Sequence, residues 1–201
     1  MQKIEDALES SGYAVENIDY PSRSMNIDGL SSYLGQELRE CCLEGERTVH
    51  FVTHSLGGIV VRYYLEKHPL DNVGRVVMLS PPNSGSELAD LLNDIPVVNE
   101  HTSESRLQLG TGDGSIPVQL SPADFELGVI AGDRSLIPVF SWIIPGPDDG
   151  MVSVRSAKTA GMSDFLVVPH SHTFIMNSPE VIQQVILFLE SGAFSHDGET
   201  D

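Results

Sequence analysis

Ser55 stands in the run "FVTHSLGG", between a β-branched stretch ending at Thr53 and a helix-like stretch opening with Leu56, Gly57 and Gly58. A sharp strand-to-helix turn lifts a hydroxyl off the end of a sheet and sets it beside the N–H groups of a helix N-terminus. Such a hydroxyl can attack a carbonyl carbon. The attack needs a base for the proton, an acid to fix that base's tautomer, and N–H donors for the developing oxyanion. "VVPHSHTFIMNSPEV" offers two bases, His170 and His172, and "IPGPDDGMVSVRSA" offers two acids, Asp148 and Asp149. Asp133 in "AGDRS" is a third acid, although Arg134 beside it suits a turn or a surface ion pair. His50 and His54 read as structural residues of the strand before Ser55.

No other pattern competes with this one. The histidines and carboxylates show no metal spacing, and His170-Ser171-His172 alone is a weak ligand signal, so no metal or cofactor is expected. The glycines of "LGTGDGS" follow no strand and open no helix, which argues against a phosphate loop.

The elements that must carry these groups alternate along the chain. "MQKIEDALES" has helical spacing, "YAVENIDYP" is extended up to Pro21, and "MNIDGLSSYLGQELRECCLEG" is a second helix with Gly45 as its stop. "TVHFVTHS" reads as strand, "LGGIVVRYYLEKHP" as helix, "GRVVMLSPP" as strand and "SGSELADLL" as a short helix. A polar stretch from Asn93 to Asp124 precedes two further strands, "FELGVIAG" and "DFLVVPH", and a capped last helix, "SPEVIQQVILFLESG". Short apolar strands joined mostly by helices predict a doubly wound α/β domain with a mainly parallel sheet covered on both faces. Strand ends then gather Ser55, the acids and the histidines at one edge.

The 201 residues suffice for one core, and a single domain is expected over residues 1–194 with an acidic frayed tail over 195–201. Lys and Arg number 11 against 29 Asp and Glu, a formal charge of −18 that repels polyanions and excludes nucleic acid as a partner. Cys41 and Cys42 are the only cysteines, and as helix neighbours they point apart, so no disulfide is expected. The charged start carries no apolar signal run, and no stretch approaches a transmembrane length, so the chain reads as cytoplasmic with no transmembrane segment.

The chain resembles α/β-hydrolases of the bacterial lipase and esterase kind, which carry "GHSLGG" at the nucleophile, "DG.V" at the acid and "SHTF.M" before the final helix. Here these stand as Thr53-His54-Ser55-Leu56-Gly57-Gly58, Asp149-Gly150-Met151-Val152 and Ser171-His172-Thr173-Phe174-Ile175-Met176. The order Ser, Asp, His is that of the family. The resemblance implies a serine hydrolase cleaving carboxylic esters, with small-molecule or lipid ester substrates. It implies Ser55 as nucleophile, Asp149 as orienting acid, His172 as general base and the Leu56 N–H as one oxyanion donor, leaving Asp148 and His170 as neighbours.

Two departures qualify it. Thr53 replaces the first elbow glycine, at a place where small residues are preferred for steric reasons. The family also has, ahead of the helix matching "MQKIEDALES", a central strand ending in "HG" whose following loop supplies a second oxyanion N–H. Neither is found in this sequence, which suggests an N-terminally shortened hydrolase fold. The strands at "YAVENIDY" and "TVHFVT" must then pair directly, leave a gap or borrow a strand, and self-association through the exposed sheet centre is expected. The alternative reading is a catalytically impaired or inactive hydrolase-fold protein or fragment.

Overall fold

A computed structural model describes residues 1–42, 47–95, 103–136 and 138–196. Its centre is a parallel sheet of β1 (Val49–His54), β2 (Val73–Leu79), β3 (Leu127–Gly132) and β4 (Asp164–Val168), in the spatial order β1-β2-β3-β4 among the described residues. β3 is buried along its whole length, as a strand covered on both faces must be.

Helices α1 (Gln2–Ser10), α2 (Ile27–Cys41), α3 (Leu56–Lys67), α4 (Glu87–Asn93) and α5 (Pro179–Ser191) supply most of the covering. Leu30, Leu34 and Leu38 of α2 and Val60, Val61 and Tyr64 of α3 pack on one face, against Phe51, Val76, Met78 and Val129. Ile4 and Leu8 of α1 and Val181, Val185 and Phe188 of α5 pack on the other, against Val77, Leu79 and Ile130. Strand residues alternate between the two layers because successive side chains point to opposite faces. The last helix is capped as expected, Ser178 accepting from the Val181 N–H at its start and Gly192 ending it at φ +83°, and at the start of α2 Asn26 accepts from the Gly29 N–H.

The predicted strand at "YAVENIDY" does not form. Residues 13–20 carry no strand ladder, and β1 is the edge of the sheet. Tyr13 and Val15 pack on the α1/α5 layer while Ile18 and Tyr20 pack on the α2/α3 layer, so the segment crosses the sheet's edge without pairing. Of the three outcomes open to these stretches, the structure shows the gap, a cavity of about 860 Å³ lined by both.

The expectation about the cysteines is corrected: Cys41 and Cys42 are disulfide-bonded. Cys41 is the last residue of α2 and Cys42 lies outside it at φ −135°, so the helical geometry that would separate neighbouring side chains no longer holds. The polar stretch after Asn93 contains two one-turn helices, Glu104–Leu107 and Ile116–Gln119, too short for periodicity to announce. Ser195 and His196, expected to fray, are held by Gln184 and Asp164. Gly45, residues 96–102 and residues 197–201 lie outside the described residues, as do the expectations placed on them. Among the described residues no helix is long and apolar enough to cross a membrane.

Candidate active site

β1 ends at His54, and Ser55 turns the chain into α3 at φ +54°, ψ −127°. Positive φ is costly for a residue with a Cβ and persists only where its surroundings enforce it. The surroundings here are the Ser55 N–H bonded to the Leu79 carbonyl at 2.9 Å and the Ser55 carbonyl receiving the Gly58 N–H at 3.1 Å. The Leu56 and Gly57 N–H groups open the first turn of α3, where no intrahelical acceptor exists. Thr53, the departure from the glycine pattern, is buried beside Gly57. A Cβ on Gly57 would stand 3.5 Å from the Thr53 Cβ and 3.3 Å from the Tyr20 hydroxyl.

His172 follows β4 on the loop before α5, and its Nε2 lies 2.9 Å from the Ser55 Oγ. Its Nδ1 lies 2.8 Å from Oδ2 of Asp149. The main chain repeats this link, the His172 N–H donating to the Asp149 carbonyl at 2.9 Å. The second carboxylate oxygen of Asp149 accepts from the N–H groups of Met151 at 3.0 Å and Val152 at 2.8 Å. Asp149 is 2% exposed and His172 8%. Burial pushes the Asp149 carboxyl up, but the hydrogen bond and charge of His172 outweigh it and hold the group below the usual carboxylate range. An ionised, oriented carboxylate behind an imidazole, with a hydroxyl on the imidazole's other nitrogen, can move a proton off that hydroxyl.

The other acids and histidines are placed elsewhere. Asp148 is a loop fastener, accepting from the Ser141 hydroxyl at 3.0 Å and the Gly150 N–H at 2.8 Å. Asp133 pairs with its neighbour Arg134 at 3.6 Å. His170 turns towards Glu180, 3.8 Å away. His50 accepts the Arg75 N–H on Nδ1 at 2.9 Å, where the β1/β2 register shifts.

Two further residues support the arrangement, and the sequence reading assigns neither a part in it. His54 donates from Nε2 to the His172 carbonyl at 2.9 Å, and its ring centroid is 4.7 Å from that of His172. Burial first, then the neighbouring His172, push the His54 pKa down to about 4, so its ring is neutral. Gly132, at the end of β3, lets the chain carrying the histidines pass close: a Cβ there would collide with the His170 carbonyl and come within 2.9 Å of the Asp149 Cβ. Its place in "VIAGD" was the only sign in the sequence. No group of three or more His, Cys, Asp or Glu among the described residues could hold a metal.

No family model and no curated protein sequence matches the chain. Solved structures do. Phospholipase PlaB from Legionella pneumophila superposes with a TM-score of 0.69 at 17% identity, over 95% of this chain and 56% of that one. The mature lipase BlEst2 from Bacillus licheniformis superposes with a TM-score of 0.71 at 20% identity, over 94% of this chain and 83% of that one. A monoacylglycerol lipase from Paleococcus ferrophilus gives 0.56 at 18% identity, over 94% and 88%. The chain thus spans little more than half the length of the Legionella phospholipase. With a parallel sheet flanked by helices and these likenesses in tertiary structure, the chain has the α/β-hydrolase fold.

Proposed function

We propose that this chain is a serine hydrolase acting on carboxylic esters. The observation that carries the reading is the hydrogen-bonded series Ser55 Oγ, His172 Nε2, His172 Nδ1, Asp149 Oδ2, with links of 2.9 and 2.8 Å. Ser55 Oγ attacks the ester carbonyl carbon as His172 Nε2 takes its proton, and Asp149 stabilises the imidazolium that results. The carbonyl oxygen gains the charge and meets the Leu56 N–H at the start of α3. Collapse expels the alcohol, which receives the proton from His172 and leaves an acyl group on Ser55. Water, deprotonated by the same imidazole, then releases the acid.

A lipid-like acyl ester is the favoured substrate class. Leu136, Val139 and Trp142 are exposed, at 62%, 52% and 85%, on the segment leading to Asp149, and Phe174 is 55% exposed two residues beyond His172. Apolar side chains on both segments suit a water-poor substrate. The structural neighbours named as lipases and a phospholipase support this reading at the level of fold.

Impaired turnover is the second reading: the Leu56 N–H is the one oxyanion donor assigned among the described residues, and a donor of this kind is worth roughly 10²–10³ in kcat, about 2.7–4 kcal/mol. A fluorophosphonate probe with a burst assay on a short p-nitrophenyl ester separates the two. Ser55-dependent labelling with steady turnover supports the esterase, Ser55-dependent labelling with a burst or no turnover supports the impaired enzyme, and labelling that persists in Ser55→Ala overturns both.

A further inference from the structure

Among the described residues two that are not glycine hold positive φ, Ser55 at +54° and Ser80 at +48°. They are neighbours in the sheet: the last pair of the β1/β2 ladder is His54 with Leu79, and each serine is the next residue along. The Leu79–Ser80 peptide is gripped from both sides, its carbonyl receiving the Ser55 N–H at 2.9 Å and its N–H donating to the Ile130 carbonyl at 2.8 Å. Left-handed backbone is costly for a residue with a Cβ, and Pro81 restricts the residue before it further. Glycine would hold φ +48° without that cost. Strain of this kind clusters where a side chain has work to do. At Ser55 that side chain is the one hydrogen-bonded to His172.

Ser80 is 1% exposed, and among the described residues its Oγ has no hydrogen-bond partner of full geometry. A buried hydroxyl needs one. The group beside it is Asp149. Ile130 pairs with Leu79, and two residues further along β3 a Cβ on Gly132 would come within 2.9 Å of the Asp149 Cβ, so the acid sits over the strand ends next to Ser80. Burial pushes the Asp149 carboxyl up, and the Ser80 hydroxyl is among the groups, after His172, that hold it down. An ionised carboxylate has about four acceptor places. The Met151 and Val152 N–H groups fill those on Oδ1 and His172 Nδ1 takes one on Oδ2, which leaves a place on Oδ2 open.

We propose that Ser80 is a positioning residue, its hydroxyl donating to Oδ2 of Asp149 and so keeping the carboxylate aimed at His172. This role rests on the reading of Ser55, His172 and Asp149 as the working groups of a serine hydrolase. Hydrogen bonds of this kind are often loose in a site without substrate and tighten in the reacting complex. Without the hydroxyl, Asp149 is one donor short in a buried site. It recovers by rotating or by admitting water, and either lengthens the 2.8 Å bond to His172.

The test compares Ser80→Ala and Ser80→Gly in the whole chain. Both remove the hydroxyl, but alanine keeps a Cβ at positive φ and glycine relieves it. One readout is the far-downfield proton resonance of His172 Nδ1–H, assigned by its loss in His172→Ala. The other is the rate at which a fluorophosphonate labels Ser55, which needs the base but no turnover. In both variants the resonance should move upfield to a similar extent and labelling should slow about tenfold, while Ser80→Gly melts no lower than the parent. A resonance unmoved in both variants, or moved downfield, would overturn the proposal. So would a resonance that moves in Ser80→Gly alone, which would assign the effect to the backbone, or labelling at the parent's rate in both. The resonance reports the bond from His172 to Asp149 whether or not Ser55 reacts. A parent chain that is never labelled, with the upfield shift present in both variants, would overturn the hydrolase reading and leave the hold of Ser80 on Asp149 standing.

Discussion

The His54 ring donates from Nε2 to the main-chain carbonyl of His172 at 2.9 Å, so the residue beside the proposed nucleophile holds the backbone of the proposed base. That bond needs a proton on Nε2 but no charge. Burial makes the charged ring costly, and the His54 pKa falls to about 4 from an ordinary 6.5.

The sign of the resulting pH dependence follows. Between pH 6.5 and about 4 the unfolded chain protonates this histidine and the folded chain does not, so stability falls as the pH is lowered through that window. The loss approaches roughly 3 kcal/mol by pH 4. Asp149, depressed in the folded state, adds a further loss only below its ordinary 3.8. His54→Gln keeps a donor and removes the titration. Urea midpoints measured from pH 7 to 4 should show a shallower fall in this variant, and equal slopes would assign the acid sensitivity to other groups.

The two histidines of the last loop should separate cleanly. His172→Ala removes the imidazole hydrogen-bonded to Ser55 and should lower ester hydrolysis by at least about 10³. His170→Ala, which loses a long contact to Glu180, should keep activity within about threefold. Initial rates on p-nitrophenyl butyrate decide, and the reverse ranking would exchange their roles.

The adjacent aspartates should separate by kind of damage. Asp149→Asn keeps the size of the side chain but offers His172 the wrong partner, and kcat should fall by roughly 10³–10⁴ with little change in KM. Asp148→Asn disturbs the bonds to Ser141 and Gly150. Its cost should be about 1 kcal/mol of stability, with activity retained. Kinetics and thermal melting on the two proteins test both halves.

Trp142, 85% exposed, contributes nothing to the core that its removal could damage. Trp142→Ala should leave Tm and soluble short-chain hydrolysis unchanged while lowering hydrolysis of a long-chain ester presented in zwitterionic micelles by about tenfold. Equal losses on both substrates would argue against a lipid-facing role for this segment.

Much of this molecule is legible in its sequence because local rules and the fold agree. β-branched runs gave strands at 49–54, 73–79, 127–132 and 164–168, and periodic runs gave α2, α3 and α5. The serine's placement before a glycine-opened helix is equally local, since a strand, a tight turn and a helix N-terminus are neighbours in the chain. Distance in sequence is where such reading stops. Nothing in "YAVENIDY" tells whether a pairing edge waits beside it, and with β1 out of reach its extended pattern stays unpaired. Cys41 and Cys42 meet because α2 ends between them, a boundary of one residue that periodicity does not fix. The choice of His172 over His170 and of Asp149 over Asp148 and Asp133 could be drawn from resemblance, but within this chain it is decided by loop packing. Gly132 admits the His170 carbonyl, the Asp149 carbonyl receives the His172 N–H, and the ring of His54 fixes the carbonyl that follows. Residue types and spacing set which groups are available for chemistry; which of them stand 2.8 to 2.9 Å apart depends on contacts between segments 23 to 118 residues apart, and only the folded chain makes those.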